Sequence, residues 1–229
     1  MSAAPPIDVD LWVWSLDVDA AERGRLSAFL SEDEAARAAR FVFERDRHRF
    51  IVGRGRLREI LARELGDRPA ALRFAYAAHG KPSLPSRPDY HFNLSHSEAL
   101  AALGLSRVRE IGVDVEHVRP FKEDIAERFF SPREALALKA LPEGEQLDAF
   151  YRCWSRKEAI VKAIGEGLSH PLDSFDVTLA PGAPAIVERF DGEVDARHVW
   201  RLAHFEPAAG YAGAVACRTG GVELRVTLR

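Results

Sequence analysis

Hydrophobic patterns of helical length and of strand length occur in both halves of this 229-residue chain, which points to an α+β or mixed α/β architecture. The strongest helical pattern runs over residues 146–164 and closes at Gly165. An earlier stretch, residues 27–66, reads as two helices, the second capped by Gly66. Strand-like segments cover residues 11–16, 90–95, 100–105 and 111–115, and the tail from Phe175 alternates strand-like pieces with turns. Ser131-Pro132-Arg133-Glu134 reads as a helix start with proline at the first helical position, in a helical region that follows Pro120. The connection at Ser106-Arg107 divides the chain into expected halves, 1–107 and 108–229. Arg40-Phe41 and Arg128-Phe129 each precede a helix ending in glycine, a hint of duplication.

Composition narrows the function classes. An apolar content of 47% with 29% charged residues is that of a globular chain with a real core. A net charge of -3 argues against wholesale nucleic-acid binding, so any anion site has to be local. Cys153 and Cys217 lie far apart without a CxxC partner, which implies neither a disulfide framework nor structural zinc. Residues 1–10 carry no basic, apolar leader pattern, and nothing later approaches the roughly 20 apolar residues of a membrane span. A cytoplasmic location without membrane contact is the expectation.

Ile111-Gly112-Val113-Asp114-Val115-Glu116 holds the most telling chemistry. Alternate residues of a strand share a side, so Asp114 and Glu116 face one way. Two crowded carboxylates repel unless a cation neutralises them, and oxygen ligands of that kind suit magnesium beside substrate phosphates. The same pattern fits the solvent face of an amphipathic strand next to Arg119. On the strong helix, Trp154, Glu158 and Lys162 recur at four-residue spacing and line one face, either as functional groups or as an ordinary helix-stabilising pair.

His91-Phe92-Asn93-Leu94-Ser95-His96-Ser97 places hydroxyls and imidazoles at the end of a strand, where a phosphate cradle can form. A serine hydrolase lacks support, because there is no G-x-S-x-G elbow. His79-Gly80-Lys81-Pro82 puts a lysine in a rigid turn. The arginine-rich run from Arg37 through Arg49 to Arg58 reads mainly as solvated helix surface pairing with Glu32, Glu34, Glu44 and Glu59. Within it Gly53-Arg54-Gly55-Arg56 fails the dinucleotide fingerprint.

In order and wording these segments together resemble the Sfp-type 4'-phosphopantetheinyl transferases: Gly80-Lys81-Pro82, Phe92-Asn93-Leu94-Ser95-His96-Ser97, Gly112-Val113-Asp114-Val115-Glu116, Arg128-Phe129-Phe130-Ser131, and Trp154-x-x-Lys157-Glu158-Ala159-x-x-Lys162. The resemblance spans residues 37–175. It implies two similar α+β halves packed side by side, with coenzyme A, the co-substrate, in the cleft between them. It further implies transfer of the phosphopantetheine arm to a serine of an apo acyl or peptidyl carrier protein, with release of 3',5'-ADP, by a monomer that uses Mg2+, or alternatively Mn2+. Carried over, Asp114, Glu116 and Glu158 hold the metal, Glu158 and Lys162 are catalytic, and Lys162 faces the phosphates. Ser95 and His96 contact phosphate groups, Gly80 and Lys81 line the adenosine end with His79 beside them, and Arg37 is the family's basic residue. Glu34 departs from the pattern, standing where the prototype has a second lysine, and Arg49 is a candidate to compensate.

Overall fold

The computed structural model describes residues 4–120 and 124–229. β1 (Ile7–Ser15) is followed by α1 (Ala20–Ser27), α2 (Glu32–Ala39) and α3 (Glu44–Leu65), then by the short β2 (Ala75–Tyr76) and β3 (Pro82–Ser83), and by β4 (His91–Ser97), β5 (Leu100–Ser106) and β6 (Ile111–His117). The chain continues with α4 (Asp124–Phe129), α5 (Pro132–Lys139), α6 (Glu143–Ile164), β7 (Phe175–Val177), β8 (Val187–Phe190), α7 (Ala196–Val199), β9 (Trp200–Phe205), β10 (Tyr211–Arg218) and β11 (Leu224–Leu228). Among the described residues no helix is long and apolar enough to cross a membrane.

Two main sheets form, with strand orders β11-β1-β5-β4 and β6-β10-β9. Alternation along β1 sends Trp12 toward Leu57, Ile60 and Leu61 of α3, while Ile7, Val9 and Leu11 meet Ile111, Val113 and Val115 of β6. On β6 the residues between those, Gly112, Asp114 and Glu116, turn toward α6. The alanines 212, 214 and 216 of β10 give that helix a flat floor within the core that α6 builds. The layers therefore run helix, sheet, sheet, helix.

The two helices expected over residues 27–66 are present, and two other expectations are corrected. Residues 27–66 contain α2 and α3, with α1 just ahead. Ser31 and Glu34 form the reciprocal capping box that starts α2. β1 begins before residue 11 because Ile7 to Leu11 pair in parallel with β11, from the opposite end of the chain. Finally, Arg40-Phe41 follows α2 whereas Arg128-Phe129 lies inside α4 or at its end, so that pair is not the duplicated element. The helical region expected after Pro120 starts at Asp124 within the described residues.

The true correspondence is between capping boxes. Ser31 with Glu34 opens α2 and Ser131 with Glu134 opens α5. Each is followed by a helix of 22 residues, α3 or α6, closed by a left-handed glycine at Gly66 or Gly165. In each half the boxed glutamate is buried and meets a cation from the long helix. Glu34 accepts from Arg54 Nε at 2.9 Å and from Arg58 Nε at 2.6 Å. Glu134 pairs with Lys157 at 2.7 Å and accepts the Val177 N–H at 2.7 Å.

Lys157 is 0% exposed and donates to the carbonyls of Leu172 at 2.7 Å and Phe175 at 2.6 Å. Replacing it by methionine leaves Glu134 as a buried, uncompensated charge. We expect a loss of about 3–5 kcal/mol of stability in chemical denaturation, whatever the state of the active site.

Candidate active site

The carboxylates sit where β6 meets α6. Asp114 is 2% exposed, and its Oδ1 receives the Lys162 ammonium at 2.5 Å and the Ser95 hydroxyl at 3.0 Å. Lys162 Nζ also donates to Ser95 Oγ at 2.9 Å. Glu116 accepts from the Ser97 hydroxyl at 2.8 Å. Burial and the neighbouring Asp114 raise its pKa to about 7. Glu158 is raised too, by burial first and by Asp114 second. The three acids therefore feel one another across the strand-helix boundary, as the alternation in β6 and the four-residue spacing in α6 anticipated.

Close approach of α6 depends on Gly112. A Cβ there would lie 1.9 Å from the Ala159 carbonyl oxygen and 2.5 Å from the Ala163 nitrogen. Lys157, next to Glu158, points into the core instead, because neighbouring helix residues are turned by about 100°.

Ser95 and His96 are successive strand residues and so serve opposite sides. His96 lines a cleft of about 570 Å³ together with Arg37, Arg45, Arg49, Arg54, Phe50 and Gly80. Desolvation lowers the pKa of His96, and Lys162 is near enough to lower it further, so the cleft ends close to the carboxylates. Arg49 is already held by Asp17 at 2.8 Å and Glu98 at 3.1 Å. Arg37 has no ion-pair partner among the described residues, and its guanidinium lies 5.1 Å from the Phe50 ring centroid. It is the readier cation for an incoming anion.

The turn before β3 divides its residues. Gly80 reaches the arginine cleft, but Lys81 is turned into a separate hollow, where it pairs with Glu110 at 2.6 Å and donates to the Ile111 carbonyl at 3.2 Å. His79 is exposed and packs near Gly167. These two residues are not gathered with Arg37, Arg49 and His96.

Glu34, the departure from the family pattern, is 3% exposed and faces Arg54 and Arg58 rather than solvent. Restoring the lysine by Glu34→Lys would bury a third cation beside two arginines. The expected outcome is a destabilisation of about 3–5 kcal/mol, read by thermal or chemical unfolding, with no tighter phosphate binding. Sequence reasoning treated Glu34 as a surface partner because nothing local distinguishes a buried capping-box glutamate from an exposed one.

Asn93 and Ser97 were also missed as contributors. Asn93 Oδ1 accepts the Val113 N–H at 2.8 Å and Ser97 Oγ accepts the His117 N–H at 3.1 Å. Their alternation with Ser95 along β4 was the available signal. The cross-strand target was not visible in it.

Acidic at one end, basic at the other and built between two similar halves, the site suits an enzyme acting on a polyphosphate-bearing substrate. Residues 110–216 match the 4'-phosphopantetheinyl transferase superfamily profile, and residues 19–106 match the 4'-phosphopantetheinyl transferase N-terminal profile. The 4'-phosphopantetheinyl transferase HetI of a Nostoc species is 39% identical over 214 residues, covering 91% of this chain and 87% of that protein. The 4'-phosphopantetheinyl transferase Sfp of Bacillus subtilis is 37% identical over 167 residues, 73% of this chain and 74% of that protein. The solved holo-[acyl-carrier-protein] synthase of Thermotoga maritima overlaps 51% of this chain and 64% of its own at 20% identity, with a TM-score of 0.37. On the sequence matches, the chain belongs to the 4'-phosphopantetheinyl transferase superfamily and is a transferase of that class.

Proposed function

We propose that this enzyme moves the phosphopantetheine arm of coenzyme A onto a serine hydroxyl of an apo acyl or peptidyl carrier protein and releases 3',5'-ADP. The observation that supports this reading best is the meeting of Asp114, Glu116, Glu158 and Lys162 close to His96, which lines the arginine cleft. Both walls of the cleft come from one chain, so a monomer in the cytoplasm, where coenzyme A and carriers are available, is the proposed working form.

The acids fit a divalent cation. Asp114 Oδ2 and Glu158 Oε1 are buried without a hydrogen-bond partner, and Glu116 is pushed toward protonation by burial and then by its acidic neighbours. Among the described residues no three His, Cys, Asp or Glu side chains stand close enough together to hold a metal ion as they are placed. The Lys162 ammonium bonds Asp114 Oδ1 at 2.5 Å. Mg2+, or Mn2+, held by Asp114, Glu116 and Glu158 would neutralise diphosphate oxygens that otherwise repel an incoming hydroxyl.

The chain's own groups do the rest. Arg37, Arg49 and His96, with the Gly80 backbone, orient the nucleotide end, and Ser95 and Lys162 steady the phosphates. The Glu158 carboxylate takes the proton of the carrier serine as the serine oxygen bonds to the phosphorus bearing pantetheine. The bond from that phosphorus to the bridging oxygen breaks, and 3',5'-ADP carries away the electron pair. A raised pKa makes Glu158 a better proton acceptor near neutrality. His79 and Lys81 would join the nucleotide only if the turn before β3 swings Lys81 off Glu110.

Incubation with coenzyme A, Mg2+ and several apo carriers, read by mass spectrometry, tests the proposal. One added phosphopantetheine is expected, and none without the metal. Failure of every carrier with metal present would refute it.

The acid cluster also predicts a pH dependence. Folded Glu116 keeps its proton up to about pH 7, whereas an unperturbed glutamate loses it near 4.5, so the folded chain binds more protons through that window. The metal-free protein loses this group's contribution to stability as pH rises from about 4.5 to about 7. Glu116→Gln should therefore melt above the wild type at pH 8 by about 2–4 °C, for a screened effect of about 1 kcal/mol, and level with it at pH 4. Mg2+ should close the gap by stabilising only the wild type.

A further inference from the structure

We propose that Ser97 is a positioning residue that aims Glu116, as one rung of a side-chain ladder by which β4 sets the acids of β6. The inference rests on the reading of Asp114, Glu116 and Glu158 as cation-binding groups.

β4 and β6 are edge strands of different sheets, so no backbone ladder joins them. Side chains of β4 take that place. Alternate N–H groups of β6, those of Val113, Val115 and His117, donate to Asn93 Oδ1 at 2.8 Å, Ser95 Oγ at 3.3 Å and Ser97 Oγ at 3.1 Å. The spacing follows from the two-residue period of both strands.

A hydroxyl has one proton to give. Ser97 Oγ accepts from the His117 N–H, and its proton goes to Glu116 Oε2 at 2.8 Å. Ser95 Oγ accepts from the Val115 N–H and from Lys162, and its proton goes to Asp114 Oδ1 at 3.0 Å. Each serine thus ties a backbone amide of β6 to the carboxylate of the residue before it, and fixes where that carboxylate points. Asn93 fastens the strand without touching an acid.

The two serines differ in redundancy. Asp114 is held by Lys162 as well as by Ser95, whereas the one side-chain hydrogen bond to Glu116 among the described residues comes from Ser97. Loss of a residue that orients a metal-binding carboxylate typically costs 10–100-fold in metal affinity. Ser97 is where that loss should appear.

The test titrates Mn2+ into the full-length protein and reads free ion by electron paramagnetic resonance, for the wild type, Ser97→Ala, Ser97→Thr and Asn93→Ala. The expected result is Mn2+ affinity about 10–100-fold weaker in Ser97→Ala and near wild type in Ser97→Thr, which keeps the hydroxyl. Asn93→Ala should lower the melting temperature with less than about 3-fold change in Mn2+ affinity, since it breaks the same seam away from the acids. In transfer assays Ser97→Ala should raise the Mn2+ requirement and leave the KM for coenzyme A within about 2-fold. Equal Mn2+ affinity in Ser97→Ala and wild type overturns the inference alone, as does an equal loss in Asn93→Ala. No Mn2+ binding to the wild type overturns the reading of the acid cluster and this inference with it.

Discussion

Glu158→Gln should leave the enzyme folded and reduce phosphopantetheine transfer by about 10²–10⁴-fold, the range for losing a general base. Glutamine keeps the size of the side chain but cannot accept the serine proton or contribute charge toward a cation. The carboxyl of Glu158 is half-buried and carries an unpartnered Oε1, so the substitution removes no hydrogen bond that the fold relies on. Circular dichroism should match the wild type, and the melting temperature of the variant should equal or exceed it, because one member of a repelling acid group has gone. Single-turnover transfer to an apo carrier is the decisive measurement. A rate within about 3-fold of wild type would remove Glu158 from the chemistry.

Gly112→Ala is expected to damage both stability and activity although its side chain touches no substrate. The added methyl would fall 1.9 Å from the Ala159 carbonyl oxygen and 2.9 Å from its carbon, and these are backbone atoms of a 22-residue helix that cannot swing aside as a side chain can. Overpacking of this kind costs about 1–3 kcal/mol, and relief here requires α6 to lift from β6. Glu158 and Lys162 ride on α6, while Asp114 and Glu116 ride on β6. A shift of about 1 Å between them can cost about 10²-fold in rate. Gly144 supplies the control, since a Cβ there meets nothing within 4 Å. Gly144→Ala should be stabilising by about 0.4–1 kcal/mol with unchanged transfer. An unperturbed melting temperature in Gly112→Ala would show that the helix-strand spacing is looser than the structure describes.

The same contrast explains why part of the site was readable from residues alone. Asp114 and Glu116 share a side because strands alternate, and Glu158 and Lys162 share one because four residues complete about one helical turn. Both rules act within a few residues of chain. The glycine caps at Gly66 and Gly165 and the Ser131-Pro132 helix start were readable for the same reason.

Other assignments depended on which surfaces meet. Lys157 and Glu158 are adjacent in the motif, yet one is sealed against Glu134 and the other faces the acids. Glu34 is buried because α3 brings Arg54 and Arg58 to it from 20 and 24 residues away. Lys81 left the arginine cleft because Glu110 waits 29 residues further along. Likewise β1 owes its length to β11 at the far end of the chain.

Local pattern determined the elements, their caps and the side of each element that carries chemistry, because steric and hydrogen-bonding preferences of the backbone operate over one or two turns. Tertiary structure alone decided which carboxylates stay near the cleft, which are neutralised in the core, and how serines of one strand aim acids of another. Those outcomes follow from charge pairing and close packing between segments distant in the chain, and a residue's own neighbours in sequence hold no record of them.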